Sequence, residues 1–449
     1  MRSKSFVKDI VYVAPGARLA HANTNDLGTS VLESKNPSAG TIQNQWQNEM
    51  LGIQRMHWMG YAGKGIYIAV FDTGFRGVNT LNAFTHLHIE RRLVDAKNFV
   101  SSSTIYTKDV HGTQVLSCLA AFEEDNYIGS AHAASYALYV VEDTQDEYRI
   151  EEYNWLVAAE RADSLGVDII SSALNFSIFD DDNMNYGHKI LDGQSSVISQ
   201  AAKLASARGM LVVQSVGNEG TNDWQYIEVP SDVKDVLSVG GVDRDKNTWA
   251  SSGKGLRIKN YIKPDIMALG LGNRVLSSDG KVYEIRGTSY AAPLIAGLAA
   301  GLMQYYPSKA SQAIKKLILD AGDQAHMPNI QRGHGIPHFK RIVQQTIDND
   351  AAPSKVYPNP LRSDKVSLGG DLYVLLSDAY AQCAYVDFLL VNANGEIVKQ
   401  FREFNILTRT VVIHMKHLPK GYYVLHIKGA KSAQHAYTIK ESRKILYYE

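Results

Sequence analysis

Only two cysteines, Cys118 and Cys383, occur in the 449 residues. One pair cannot build a disulfide scaffold, and no CxxC or Cys/His spacing marks a zinc finger. Low cysteine leaves the compartment open, because large secreted domains also do without bridges. There is no excess charge of either sign: 46 basic side chains balance 46 acidic ones. That balance excludes a nucleic-acid protein held by a broad basic field. No apolar run approaches the roughly 18 residues of a membrane-spanning helix, and the longest candidate, residues 294–303, is far too short. The first twenty residues start basic, but Asp9 interrupts the apolar part, so no secretory leader is read there. What remains is an ordinary globular composition, 45% hydrophobic and 20% charged. The length predicts two domains, or one large and one small.

Residues 65–72 (GIYIAVFD) form a short apolar, β-branched run bounded by glycine, which predicts a buried strand of the parallel kind. After His111, Val115, Leu119 and Phe122 recur at helical spacing, with Leu116 and Ala120 beside them. Helix is expected over 153–166, 196–209, 289–305 and 308–321, and strand over 167–173, 210–216 and 236–242. The 289–305 segment is apolar nearly all round, which predicts a helix through the middle of a domain. Strands alternating with helices imply an α/β fold, a parallel sheet with helices on both faces. The pattern changes after residue 347. Residues 348–356 read as a linker, and Val386, Phe388 and Leu390 then open a run of strands. Asn394 and Gly395 mark a hairpin turn, and further strands are expected at 410–415 and 421–427. Residues 357–449 therefore read as a small all-β sandwich.

Four segments bear chemistry: VFDTG around Asp72, HGTQV around His111, SVGNEG around Asn218 and GTSYAAP around Ser289. Asp72 stands at the C-terminal end of a predicted parallel strand, where α/β sheets place functional groups. His111 and Ser289 each open a predicted helix. A hydroxyl is a poor nucleophile at neutral pH and needs a base in reach, itself held by an acidic partner. The Asn218 amide and the Ser289 backbone N–H suit a developing oxyanion. Each motif alone has an ordinary explanation as a strand end, a helix start or a cap with Pro293 in the first turn. The four in this order do not.

Together they resemble the subtilisin-like (subtilase, S8) serine proteases, which use the chain order Asp, His, Ser. The likeness runs over residues 43–347 and extends to Val239, Gly240, Gly241 and Val242, to residues 250–253 (ASSG) and to residues 263–268 (KPDIMA). It implies that Asp72 orients His111, that His111 is the general base and then acid, that Ser289 forms the acyl-enzyme and that Asn218 donates to the oxyanion. It also implies polypeptide substrates bound along Ser172, Ala173, Leu174 and Asn175 and beside Gly217. No cofactor is implied for catalysis, and a structural calcium is left open; Asp180 to Asn183 is read as a surface turn rather than a calcium loop. Three departures stand out. Gln114 replaces a second histidine, Leu269 a proline, and Asn175 a glycine, the last expected to narrow the pocket or perturb substrate pairing. Residues 178–196 look longer than in minimal relatives and are expected to shape the cleft.

Residues 357–360 (YPNP), Asn394 with Gly395, and residues 418–424 (LPKGYYV) resemble the C-terminal sorting domain of the type IX secretion system of Bacteroidetes. That resemblance implies secretion machinery as a partner and a secreted or cell-surface home. Residues 1–42 read as an N-terminal segment, with 6–15 as the tail of an inhibitory propeptide. Folding is expected to be slow if the rest of such a propeptide is missing. Two other readings stand beside this one: a surface binding protein that kept the fold and lost the activity, and a cytoplasmic protease whose tail is an assembly module. Cys118 is read as a small buried hydrophobe still able to meet thiol reagents, and the paired His86 and His88, on one face of an expected strand, as surface residues.

Overall fold

The structure, a computed structural model, describes residues 11–14, 32–33, 42–106, 109–258 and 260–343, then 354–357, 361–362, 371–377, 380, 383–404, 410–415, 417–430 and 439–448. Most of the expected linker, residues 6–10 and 15 of the expected propeptide tail, and residues 358–360 of the YPNP motif lie outside them. The chain divides into two compact units, the larger formed by the chain up to Phe339 without Trp58–Gly60, the smaller by those three residues and the chain from Lys340 onward.

The larger unit holds a sheet of seven strands: β1 (Tyr67–Asp72), β2 (Leu93–Asn98), β3 (Ser135–Val140), β4 (Ile169–Ser172), β5 (Leu211–Ser215), β6 (Leu237–Val242) and β7 (Ile266–Leu269). Their spatial order is β7-β6-β5-β4-β1-β3-β2, and every pairing is parallel. The chain leaves β1 to build one side and returns to build the other, which opens a crevice at the C-terminal ends of β1 and β4. Strand periodicity divides β1 between the two faces of the sheet. Ala69 and Phe71 share a core with Trp155 of α2 (Ile150–Ser164), the two aromatic rings 5.2 Å apart. Ile68, Val70 and Asp72 therefore face the opposite side, where α1 (His111–Ala120) packs against α4 (Thr288–Tyr305). α3 (Val197–Ala207) lies beside α2 and is capped by the Ser196 hydroxyl, which accepts from the Ser199 N–H at 3.1 Å. α4 is buried from Thr288 to Met303, as its unbroken apolar sequence requires.

A buried charge cluster ties β6, β7 and α5 (Ser311–Asp320) together. Asp265 accepts from Lys263 at 2.6 Å and faces Lys315 at 3.3 Å, and both lysines also donate to the carbonyl of Val236 at 2.7 Å. Removing the anion strands two buried cations, so Asp265→Ala is expected to lower unfolding stability by about 3–5 kcal/mol. Urea denaturation followed by tryptophan fluorescence measures this, and a loss under about 1 kcal/mol would show that the cluster is solvated.

Several expectations shift. α1 ends at Ala120, and Phe122 stands outside it in a two-residue strand, 38% exposed. His86 and His88 lie in a five-residue helix, Thr85–Ile89, where residues two apart do not share a face. His88 is exposed, whereas His86 is half-buried and its ring packs toward Phe122. Pro293 falls in the second turn of α4, not the first, so its missing N–H leaves the Ser289 carbonyl without an intrahelical donor. Residues Val11 to Ala14 lie against the start of α2, where the Ile150 N–H donates to the Val13 carbonyl at 3.1 Å.

The smaller unit packs two sheets face to face. One is three-stranded, Lys355–Tyr357, Asp371–Leu375 and Thr410–His414. The other is five-stranded and centres on Tyr385–Asn392, Gly421–Ala430 and Ile439–Tyr448. Leu372, Val374, Phe388, Ile413, Leu425 and Ile427 fill the space between them. Asn394 and Gly395 make the expected hairpin turn into Ile397–Phe404. This is the all-β sandwich the alternating sequence predicts.

Candidate active site

β1 delivers Asp72 to the crevice and α1 delivers His111. Their approach depends on Gly112, where an added Cβ would lie 2.4 Å from the Gly74 carbonyl oxygen and 2.9 Å from the Asp72 Cβ. His111 Nδ1 is 2.7 Å from Asp72 Oδ1, which also accepts the Thr73 N–H at 2.8 Å. Asp72 is fully buried. His111 keeps 26% of its side chain exposed. Burial alone would lower the imidazole pKa; Asp72, then Asp109 and Glu142, outweigh it and raise it to about 9.

Ser289 is the second residue of α4 and is 7% exposed. Its Oγ hydrogen-bonds the Ala173 carbonyl at 3.2 Å. Its N–H belongs to the first helical turn, whose donors have no partner inside the helix. Asn218, in the loop after β5, accepts from the Thr288 N–H at 2.9 Å and from the Thr288 hydroxyl at 3.1 Å. With Oδ1 doubly occupied, the amide NH₂ of Asn218 is its remaining donor. α1 and α4 are joined beside the site: the Tyr290 hydroxyl donates to Gln114 Oε1 at 3.0 Å, and the Tyr290 ring lies 5.6 Å from that of His111. Gln114 thus has a definite role as the acceptor that holds α4 against α1, which its sequence position alone did not reveal.

Of the expected substrate-binding residues, Ala173 touches Ser289 and Gly217 touches the adjacent Thr288, while Ser172, Leu174 and Asn175 bond elsewhere. Ser172 is buried and its hydroxyl accepts from the Trp155 indole at 3.1 Å, so that side chain belongs to the core. Ala173 presents its carbonyl to Ser289, and the Leu174 carbonyl accepts from Gln214 at 2.5 Å. Asn175 is turned toward β5: its amide donates to the Ser215 carbonyl at 2.7 Å, and its oxygen accepts from the Ser215 hydroxyl at 2.6 Å. Both ends of that side chain are tied to the neighbouring strand end. Gly217 has φ +89° and its carbonyl accepts from Thr288 at 3.1 Å.

Residues 178–196 pack Phe179, Met184 and Leu191 into the core beneath α2. Asp181 caps a one-turn helix there through the Asn183 N–H at 3.0 Å, and Asp180 accepts from the Glu147 N–H at 3.0 Å. These carboxylates serve local donors. Cys118 is fully buried in α1, and burial pushes its thiol up to about 12. Burial of this kind disfavours the thiolate and so weighs against the expected response to thiol reagents. One group escaped sequence reading entirely: Glu228, whose Oε1 accepts the Ser177 hydroxyl at 2.5 Å across 51 residues of chain.

A family model described as the subtilase family matches residues 63–336, and one described as the secretion system C-terminal sorting domain matches residues 355–441. The chain is 26% identical over 354 residues to the thermostable alkaline protease of Halalkalibacterium halodurans, covering 76% of this chain and 87% of that one. It is 26% identical over 273 residues to subtilisin DY of Bacillus licheniformis, covering 59% and 86%. Against the subtilisin-like protease SBT6.1 of Arabidopsis thaliana it is 24% identical over 307 residues, but these span 26% of that protein's length. Among solved structures, MycP1 from Mycobacterium smegmatis shares the fold, with TM-score 0.52 at 16% identity over 70% of this chain and 89% of the other. A match across most of the larger unit, and more than half of the chain, on a parallel sheet of this order places the chain in the subtilase family of serine proteases, with a secretion-system sorting domain behind it.

Proposed function

We propose that this chain is a secreted serine endopeptidase whose triad is Asp72, His111 and Ser289. The observation that carries the reading is the 2.7 Å contact between His111 Nδ1 and a fully buried Asp72. It fixes the tautomer in which Nδ1 bears the proton and Nε2 is the base. The Ser289 hydroxyl turns from the Ala173 carbonyl to Nε2, gives up its proton and attacks the substrate carbonyl carbon. The resulting oxyanion meets the Ser289 N–H and the Asn218 NH₂. The imidazolium then protonates the departing amine, and water, activated by the same nitrogen, releases the acid from the acyl-enzyme. Asp72 stays ionised and stabilises the imidazolium. These steps need no cofactor. Residues 355–441 address the chain to a secretion system, which supports an extracellular or cell-surface site of action and polypeptides as substrates.

The experiment is labelling of the full chain with a fluorophosphonate, followed by peptide mapping. One adduct on Ser289 is expected. A folded protein that takes no adduct would exclude the peptidase and favour a binding protein on the same fold.

Only the neutral imidazole is a base, so protonation of His111 sets the acid limb of activity. With its pKa near 9, kcat/KM is expected to climb about tenfold per pH unit from pH 7 toward 9. Asp109→Asn removes one anion that favours the imidazolium. It is expected to move this limb to lower pH while keeping an acceptor for the His111 N–H, now held at 2.7 Å. The proton also affects stability. The folded value lies above the ordinary 6.5, so its contribution is complete below about pH 6.5 and is lost as pH rises through about 9. Initial rates and denaturation midpoints from pH 6 to 10 check both signs.

A further inference from the structure

Two segments flank Ser289. One leaves β4 through Ala173, whose carbonyl holds the Ser289 hydroxyl, and continues to Phe176 and Ser177. The other leaves β5 through Gly217 and Asn218, which hold Thr288. Both converge again on one side chain. Phe176 bridges Val229, and the neighbouring Glu228 accepts the Ser177 hydroxyl through Oε1 at 2.5 Å. Its other oxygen, Oε2, lies so close to Gly217 that a Cβ added there would be 1.8 Å from it. Glu228 is 7% exposed, and Oε2 has no protein donor among the described residues. No lysine, arginine or histidine pairs with it among those residues. The charged groups acting on it or feeling it are Glu219 and Glu147, both acidic. Burial, opposed by the Ser177 hydroxyl and aided by Glu219, pushes its carboxyl up to about 8.

A carboxylate so buried, without a cation and beside other acids, is costly to the free protein. A cation entering between the two segments would relieve that cost. The same two segments meet at Ser289 and again at Glu228, so a long side chain attached at the acyl carbon is expected to run along them with its end at Glu228.

We infer that Glu228 is a specificity determinant and that the peptidase cleaves after lysine or arginine, whose cationic end pairs with the Glu228 carboxylate. This rests on the peptidase reading above. Arginine offers two parallel N–H donors to such a carboxylate and lysine a point charge, so both are accepted. Gly217 has no side chain to block the approach, and any other residue there would collide with Glu228.

The test uses the full chain and a series of fluorogenic peptides differing only at the residue before the cleaved bond: Arg, Lys, Leu, Phe or Glu. The wild type is expected to favour Arg and Lys over Leu by on the order of 100-fold in kcat/KM. Glu228→Gln keeps an acceptor for Ser177 and removes the charge, and it is expected to bring the Arg-to-Leu ratio close to one. A merely structural role would lower all five rates together and leave the ratio alone. A second measurement needs no variant: benzamidine, an arginine-like cation, is expected to slow fluorophosphonate labelling of wild-type Ser289. Labelling with equal cleavage after Leu and Arg, or a basic preference that survives in Glu228→Gln, overturns the inference and leaves the peptidase standing. Absence of both labelling and cleavage removes the two together.

Discussion

Ser289→Ala is expected to cut kcat by roughly a million-fold, the loss known for removal of the nucleophile in a subtilisin. The physical basis lies in the arrangement around α4. Ser289 occupies the helix start, its hydroxyl hydrogen-bonded to the Ala173 carbonyl at 3.2 Å, next to Thr288, which Asn218 holds. Alanine removes the nucleophile but neither the oxyanion donors nor the substrate segments, so KM should change little. Removing the 3.2 Å hydrogen bond to Ala173 should cost no more than about 1 kcal/mol of stability. Steady-state rates on a single peptide, with denaturation of both proteins, separate the two effects. A variant that retains even one part in a hundred of the activity would show that Ser289 is not the nucleophile.

Asn218→Ala is expected to lower kcat about 100- to 1,000-fold, again by the subtilisin precedent. Here the structure adds a complication. The same side chain accepts from Thr288 twice, at 2.9 and 3.1 Å, and so helps to hold the start of α4. Alanine therefore removes a catalytic donor and a structural acceptor at once. Asn218→Asp separates them, because it keeps the oxygen facing Thr288 and replaces the NH₂ donor by a repelling oxygen. If both variants lose activity alike while only alanine lowers the denaturation midpoint, the donor acts on the oxyanion. Loss of activity in alanine alone would assign Asn218 to positioning α4.

Local sequence determined much of this protein. A buried strand needs a continuous apolar run, and residues 68–71 supply one; a central helix needs an apolar surface all round, and α4 has it. The change to period-two alternation after residue 347 specified the sandwich, because one face of each strand must meet a core. Strand and helix ends place Asp72, His111, Asn218 and Ser289, so their positions were legible from motif and periodicity together. Strand β3 is an apolar run as long as β1 and was as legible. Other features were not. Strand β2, with Asp95, Lys97 and Asn98 in its six residues, owes its state to pairing with β3, and the five-residue helix around His86 is too short to carry a period. The Pro293 position, one turn deeper than expected, depends on where α4 begins.

The substrate side shows the division most clearly. Asn175 occupies a position the sequence marked as unusual, yet its consequence was decided by Ser215, forty residues away, which turns the amide onto its own strand. Glu228 carried no signal, since an isolated glutamate between Ile227 and Val229 reads like any surface residue. Its burial, its tie to Ser177 and its contact with Gly217 exist only once two β-to-α crossings bring their loops together. Covalent neighbours and hydrophobic period act over a few residues, so the sequence determined the elements and the chemistry they carry. Electrostatic environment depends on which distant groups exclude water from a site, so the pKa values of His111 and Glu228 were decided by the tertiary structure alone.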